Sequence, residues 1–255
     1  MSFRYDGNKL IPQNVLSALR YTGKVGFMSR QVWHEFFGQG NDRWQRRQMK
    51  FLLDQGYLKD HRNPFAKQIL ILGSKGVAIL NAMHAPCVKP VPVMYLAHDS
   101  VVARSMLQLV KGNLIGGYLV ERELKTYGVK DFMLSNKDHD QKYPDAVFKM
   151  SAFKKPRTVA LEYERERKSL SRYKNILWQY SELTNISVVL FICENLGTQK
   201  IIESAMKYLG QTSLMDRLSF ASAEEWQKSA LDAPIQMKSG TVTFRKICDP
   251  VSINS

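Results

Sequence analysis

The sequence predicts an α/β protein in two pieces: a small helical piece closed by a strand hairpin, then a larger piece in which strands and helices alternate. Three observations carry this reading. Apolar residues recur at helical spacing over the first eighty residues and end in two short β-type runs. A stretch holding Pro86, Pro90 and Pro92 then interrupts the pattern. Beyond it, apolar strand-type runs alternate with amphipathic helical ones, which suggests a sheet core.

In the first piece, Val15, Leu16 and Leu19 mark a short amphipathic helix between Pro12 and Tyr21. Met28-Ser29 offers a cap before Arg30–Phe37, where Val32, Trp33, Phe36 and Phe37 are apolar. After Gly38-Gln39-Gly40, Asn41 or Asp42 caps a third helix, Arg43–Gln55, with Met49, Leu52 and Leu53 facing inward and Gly56 as its stop. Tyr57–His61 and Gln68–Leu72 are strand candidates around Arg62-Asn63-Pro64, and Gly76–Met83 closes the piece as a helix. Three helices followed by a two-stranded wing is the order of a winged helix-turn-helix. Residues 1–85 are read as that domain and 86–93 as its linker.

The second piece, residues 94–255, reads as helix Ser100–Val110, strand Leu114–Val120, helical Glu121–Tyr127 and the polar loop Lys137–Lys142. Strands Ala146–Met150 and Thr158–Glu164, helix Leu170–Leu183, buried strand Ser187–Cys193 and helix Thr198–Leu209 follow. Leu218–Ala221 is a short strand, Ala223–Ala230 a helix and Thr241–Ile247 a last strand; the final six residues are expected to fray.

Charge points to the partner. The 255 residues carry a formal net charge of +14, of which residues 1–92 hold +9. A polyanion is the natural partner, and nucleic acid fits better than a membrane surface because no long basic amphipathic helix is visible. The third helix presents Arg43, Gln45, Arg46, Arg47 and Lys50, side chains suited to base edges and phosphates. A solvated basic helix face is the competing reading. No run of eighteen apolar residues exists, so no membrane insertion is expected. The N-terminus has no apolar core of signal-peptide length, so a cytoplasmic location is expected. The three cysteines, Cys87, Cys193 and Cys248, are far apart; reduced thiols rather than a zinc site are expected.

The chemistry lies in acids. Along Thr158–Glu164 a period of two sends Val159, Leu161 and Tyr163 to one face and Ala160, Glu162 and Glu164 to the other. Asp145 opens the preceding strand and can meet Glu162 if the two form a hairpin. Three converging acids repel one another unless neutralised. Mg²⁺ or Mn²⁺ would do so, and would activate water and stabilise a leaving oxygen. A polar edge strand paired with nearby Arg and Lys is the rival.

Pro144-Asp145 followed by Glu162-x-Glu164 resembles the PD-(D/E)xK nuclease signature, with Glu164 where the pattern has Lys. Lys168 and Lys174 are the candidate substitutes. The wider order is a winged helix, Glu121-Arg122-Glu123-Leu124, Pro144-Asp145-Ala146, Glu162-x-Glu164, then Lys174-x5-Tyr180. It resembles the replication-relaxation family, above all its plasmid MOB-C relaxases, over roughly residues 12 to 220. The resemblance implies a PD-(D/E)xK-like, restriction-endonuclease-type α/β domain after the winged helix-turn-helix. It implies a metal-dependent relaxase that nicks one strand at a plasmid transfer origin for conjugation or mobilisation, aided by accessory mobilisation and coupling proteins. Asp145, Glu162 and Glu164 match the family's catalytic acids, and Glu121 an upstream acid. Lys174 or Lys168 is expected at the scissile phosphate.

Other relaxases use His-x-His and an N-terminal tyrosine. Here His34, His61, His84, His98 and His139 include no such pair, and Tyr5 sits in a loose leader. Attack by metal-bound water or by a protein hydroxyl both stay open. Tyr163 is expected to pack in the core; Tyr173 and Tyr180 share a helix face and pack on the sheet or border the groove. Asp99 is read as a helix cap beside His98. The alternatives are a non-enzymatic winged-helix DNA-binding regulator with a degenerate nuclease domain, and a double-strand endonuclease of a mobile element.

Overall fold

The structure, a computed structural model, describes residues 4–5, 9–61, 69–134, 142–150, 156–210 and 212–248. The chain divides into two compact units, Met1–Ala97 and His98–Ser255.

In the first unit, β1 (Arg4–Tyr5) pairs with β2 (Lys9–Leu10), and α1 (Gln13–Val25) follows. α1 buries Val15, Leu16, Ala18, Leu19 and Tyr21 and ends at Gly26, whose φ of 91° needs glycine. β3 (Met28–Ser29) leads into α2 (Arg30–Val32), capped by the Ser29 hydroxyl, which accepts from Val32 N at 3.1 Å. α2 continues as a π-helical turn over Trp33–Phe37. α3 (Asp42–Asp54) is capped by Asn41, whose side-chain oxygen accepts from Trp44 N at 3.0 Å. β4 (Leu58–His61) and β5 (Ile69–Leu72) form an antiparallel hairpin, β3 adds to it in the order β3-β5-β4, and α4 (Ser74–Ala82) closes the unit. The expected turn Arg62-Asn63-Pro64 lies outside the described residues.

The expected linker 86–93 is part of this unit rather than a free tether. Val88 and Val91 are buried, and Val88 N donates to Gly23 O at 2.7 Å. Gly23 permits that approach, because a Cβ there would meet the Pro86 carbonyl oxygen and Leu80. The valines between the prolines bury enough apolar surface to dock the segment on α1.

The second unit is a seven-stranded mixed sheet with helices on both faces. Its elements are α5 (Leu96–Lys111), β6 (Ile115–Val120), α6 (Glu121–Tyr127), β7 (Ala146–Met150), β8 (Arg157–Glu164), α7 (Leu170–Glu182), β9 (Val188–Cys193), α8 (Leu196–Leu209), α9 (Thr212–Met215), β10 (Leu218–Ser222), α10 (Ala223–Lys228), β11 (Ile235–Met237), β12 (Gly240–Val242) and α11 (Phe244–Cys248). The strand order is β12-β11-β10-β9-β8-β7-β6. β8, β9 and β10 run parallel, while β6 to β8 and β10 to β12 are antiparallel. On one face Val102 and Met106 of α5, Trp226 of α10 and Phe244 of α11 pack on Phe148, Val159, Leu161 and Tyr163. On the other, Tyr173, Ile176 and Tyr180 of α7 and Ile202 of α8 pack on Ala160, Val189 and Phe191. The period-two reading of β8 therefore assigns its faces correctly.

The expected last strand Thr241–Ile247 is corrected: it stops at Val242 and becomes α11. Thr243 accepts from Lys246 N at 3.2 Å, which starts a helix, and Phe244 turns inward between Phe148 and Trp226. The final residues 249–255 lie outside the described residues.

Candidate acidic site at the end of the central strand

β8 lies between β7 and β9, and its C-terminal end carries two of the three expected acids. Glu162 and Glu164 are 2% and 1% exposed and lie on the α7 side. Ala146 is registered opposite Leu161, so Asp145, one residue before β7, reaches the same end of the sheet as Glu162. Buried carboxylates cost several kcal/mol unless compensated, and each here has named partners.

Glu162 accepts from the Tyr180 hydroxyl at 2.5 Å and from Lys142 Nζ at 3.4 Å. Glu164 takes Lys168 Nζ on both oxygens at 2.5 Å and the Tyr173 hydroxyl at 3.1 Å. Asp145 accepts from Tyr163 N at 2.7 Å and pairs with His98 Nε2 at 3.2 Å. His98 Nε2 also faces Tyr163 O at 3.2 Å, and its Nδ1 faces Asp99 Oδ1 at 3.1 Å. Arg122 Nε in turn holds Asp99 Oδ2 at 3.1 Å. Both nitrogens of the imidazole thus face acceptors, which calls for the doubly protonated ring.

The electrostatics follow. Burial pushes the Glu162 carboxyl up, Lys142 opposes this, and Asp145 and Glu164 push further, to about 7. Burial also acts to raise Asp145, but His98, Tyr163 N and Lys142 outweigh it and hold the carboxyl below the usual range. For His98 burial works downward, yet the hydrogen bonds and charges of Asp145 and Asp99 win and raise it to about 11. Lys142 is raised despite its burial by the charges of Glu162, Asp145 and Glu164. Burial, then the charge and hydrogen bond of Glu162, push the Tyr180 phenol well above its ordinary value. Glu121, paired with Lys125 at 2.7 Å, is raised by burial and then by the charge of Asp145.

Three acids therefore stand against three cations supplied by the chain itself: Lys142, Lys168 and His98. The donors are hard carboxylate oxygens, the type that suits Mg²⁺ or Mn²⁺. Among the described residues no group of three His, Cys, Asp or Glu side chains is gathered closely enough to hold a metal ion. A divalent cation at these acids would have to displace the lysines.

Several expectations move. Lys174 is not at the acids; its ammonium lies over the Tyr208 ring on α8, because the buried α7 positions are Tyr173, Ile176, Leu177, Gln179 and Tyr180. Lys168, just before α7, takes the place instead. In the sequence Lys142 stands out only as the end of a polar loop, and His98 only as a neighbour of a cap. A bridge between Leu134 and Lys142 brings the first in, and α5 brings the second. Tyr163 faces away from the glutamates, as expected, and donates its hydroxyl to Glu194. Tyr173 and Tyr180 pack in the core, and their hydroxyls reach the acids. His139 lies outside the described residues, as do the side-chain surroundings of Tyr5.

On α3, Arg43, Arg46, Arg47 and Lys50 are exposed, as both a binding face and a solvated basic face require. Gln45 is not: it is 9% exposed, meets His34 Nδ1 through its side-chain oxygen, and donates to Gly40 O at 3.2 Å. It shares the inward stripe with Met49 and Leu52 and is unavailable to a base edge.

Among the described residues no helix is long and apolar enough to cross a membrane. Comparisons with family models, with curated proteins and with solved structures returned no significant match.

Proposed function

We propose that the chain is a metal-dependent DNA-nicking enzyme of the relaxase type, acting on one strand at a plasmid transfer origin. The observation that carries the reading is the cluster of Asp145, Glu162 and Glu164 at the end of adjacent central strands, with the Glu162 carboxyl raised to about 7 by burial and by its acidic neighbours. A fold that buries mutually repelling acids accepts a stability cost of a kind concentrated at functional sites.

The first unit has the element order of a winged helix-turn-helix, and α3 would grip DNA through Arg43, Arg46, Arg47 and Lys50. The second unit would be the PD-(D/E)xK-like nuclease. As they stand, Asp145, Glu162 and Glu164 do not form a metal-holding group among the described residues; they would hold Mg²⁺ or Mn²⁺ only by closing up in place of Lys142 and Lys168, and the cation would then neutralise phosphate charge and promote in-line attack. Tyr180 and Tyr173 orient the two glutamates through their hydroxyls, and His98 with Tyr163 N orients Asp145. Lys142 and Lys168, released from the glutamates, supply positive charge to the scissile phosphate in place of the absent motif lysine. Exposed Arg165, Arg167 and Arg172 beside the site give the DNA backbone a basic path. Water is favoured over a tyrosine hydroxyl as nucleophile, since Tyr163, Tyr173 and Tyr180 are buried with engaged hydroxyls. Accessory mobilisation and coupling proteins, and a cytoplasmic setting, belong to the same reading.

A second reading has its own support. Because Lys142, Lys168 and His98 already neutralise the acids, the second unit would also be stable as a degenerate nuclease domain of a DNA-binding regulator. Incubation of supercoiled plasmid with the protein and Mg²⁺ or Mn²⁺ separates these. Nicked circles support the relaxase; linear product supports a double-strand endonuclease; unchanged plasmid with retained DNA binding supports the regulator.

A further inference from the structure

The outer face of α3 holds two large aromatic side chains in the open. Trp44 is 51% exposed and Phe51 55%. They are seven residues apart, so they lie on one side of the helix about 10 Å apart along its axis. Arg47 stands between them, and Arg43 and Lys50 are exposed on the adjoining surface.

Both rings are backed by the fold rather than hanging free. Trp44 rests on Gly40, where a Cβ would come within 3.0 Å of its ring, and its backbone is held by the Asn41 cap. Phe51 leans on Tyr57, with ring centroids 6.1 Å apart, and the ammonium of Lys75 lies over Tyr57 from elsewhere. Each ring is thus supported on its inner side and open on its outer side. An apolar surface of this kind costs solvation unless something covers it.

We propose that this face binds single-stranded DNA, with unpaired bases stacked on Trp44 and Phe51 and the phosphates met by Arg43, Arg47 and Lys50. It rests on the reading that the chain acts on DNA, and narrows it. The cations select a polyanion. The rings select unpaired bases, because a duplex offers base edges in its grooves and keeps its ring faces stacked inside, whereas a single strand offers a π-face at every base. The separation of about 10 Å matches about three steps of a stacked strand at 3.4 Å per phosphate. A second copy of the chain fits poorly, because a two-fold contact through this face would set its arginines against their own counterparts.

The test is fluorescence anisotropy of the full chain with a labelled mixed-sequence oligodeoxynucleotide, single-stranded or annealed to its complement, in EDTA so that no strand is cut. The variant Trp44→Ala/Phe51→Ala alters only exposed side chains, and circular dichroism checks that it folds. It should lose about tenfold or more in single-strand affinity while its duplex affinity changes little. Trp44→Phe/Phe51→Tyr, which keeps both rings, should bind the single strand nearly as well as wild type. Unchanged single-strand affinity in the alanine variant, or equal losses on single strand and duplex, overturns the proposal. So does a dimer in sedimentation that the alanine variant abolishes while DNA affinity stays the same. The nicking reading is judged separately on supercoiled plasmid: failure to nick leaves the single-strand result standing, and nicking with an indifferent alanine variant removes only the proposal made here.

Discussion

Glu162→Gln replaces the most strained carboxyl of the site by an uncharged group of the same shape. In the folded chain its pKa rises from 4.5 to about 7, led by burial and helped by Asp145 and Glu164 against the pull of Lys142. An acid whose folded pKa lies above its unfolded value stabilises the fold fully below the unfolded pKa and loses that contribution as pH rises through the folded one. The window is therefore pH 4.5 to 7. At 1.36 kcal/mol per pH unit, deprotonating Glu162 costs the fold about 3 kcal/mol across it. Glutamine mimics the protonated form and carries no such cost. Urea unfolding at a series of pH values, without divalent cations, should show the variant gaining on wild type by about 3 kcal/mol between pH 4.5 and pH 8. His98 is also raised, to about 11, but its contribution is lost above pH 6.5 and in wild type and variant alike, so it cancels in the difference. A flat difference, or a variant that loses ground as pH rises, would refute the claim that burial and acidic neighbours outweigh Lys142.

Other outcomes follow from the same contacts. Lys168→Met leaves Glu164 buried with no cation on it and should destabilise the protein by about 3–5 kcal/mol, whereas Lys174→Met removes only a contact with the Tyr208 ring worth about 1 kcal/mol or less; thermal denaturation distinguishes them. Gln45→Ala strips hydrogen bonds from the α3 interior and should cost about 1–3 kcal/mol of stability while the folded fraction keeps its DNA affinity, read by anisotropy. Tyr163→Phe, Tyr173→Phe and Tyr180→Phe should each retain nicking in part, with a stability loss of about 1.5–3 kcal/mol for the two that hydrogen-bond the site glutamates. A folded tyrosine variant that cannot nick at all, together with a covalent DNA adduct on that same tyrosine in the wild type, would identify the nucleophile and overturn the preference for water.

The legible parts of the fold were those written in short-range periodicity. Alternation along β8 separates Glu162 and Glu164 from Leu161 and Tyr163 without any knowledge of neighbours. Caps at Ser29 and Asn41 lie where short polar residues precede helical patterns. The missed partners come from far along the chain. His98 lies 65 residues before Tyr163, and Lys142 lies 20 before Glu162. No local pattern relates such positions; only the sheet order does. Two errors had a signal within reach. Gln45 stands four residues before Met49, on the stripe already read as inward, so its phase argued against base contact. Lys174 follows the buried Tyr173 and points aside from the sheet, whereas Lys168 sits in the turn that leaves β8 and folds back on Glu164. The short strands β11 and β12 carry three residues each, too few for a period-two signal to emerge.

The most direct measurement is conversion of supercoiled plasmid carrying the cognate transfer origin by wild type, Asp145→Ala and Glu162→Ala, each with Mg²⁺ or Mn²⁺ and with EDTA. Wild type should give nicked circles only with the cation, and both variants should bind the same DNA yet leave it supercoiled, since each removes one of the three acids at this end of the β7–β8 pair. Nicking by both variants at the wild-type rate, or by wild type in EDTA, would contradict a metal-dependent site built on Asp145, Glu162 and Glu164.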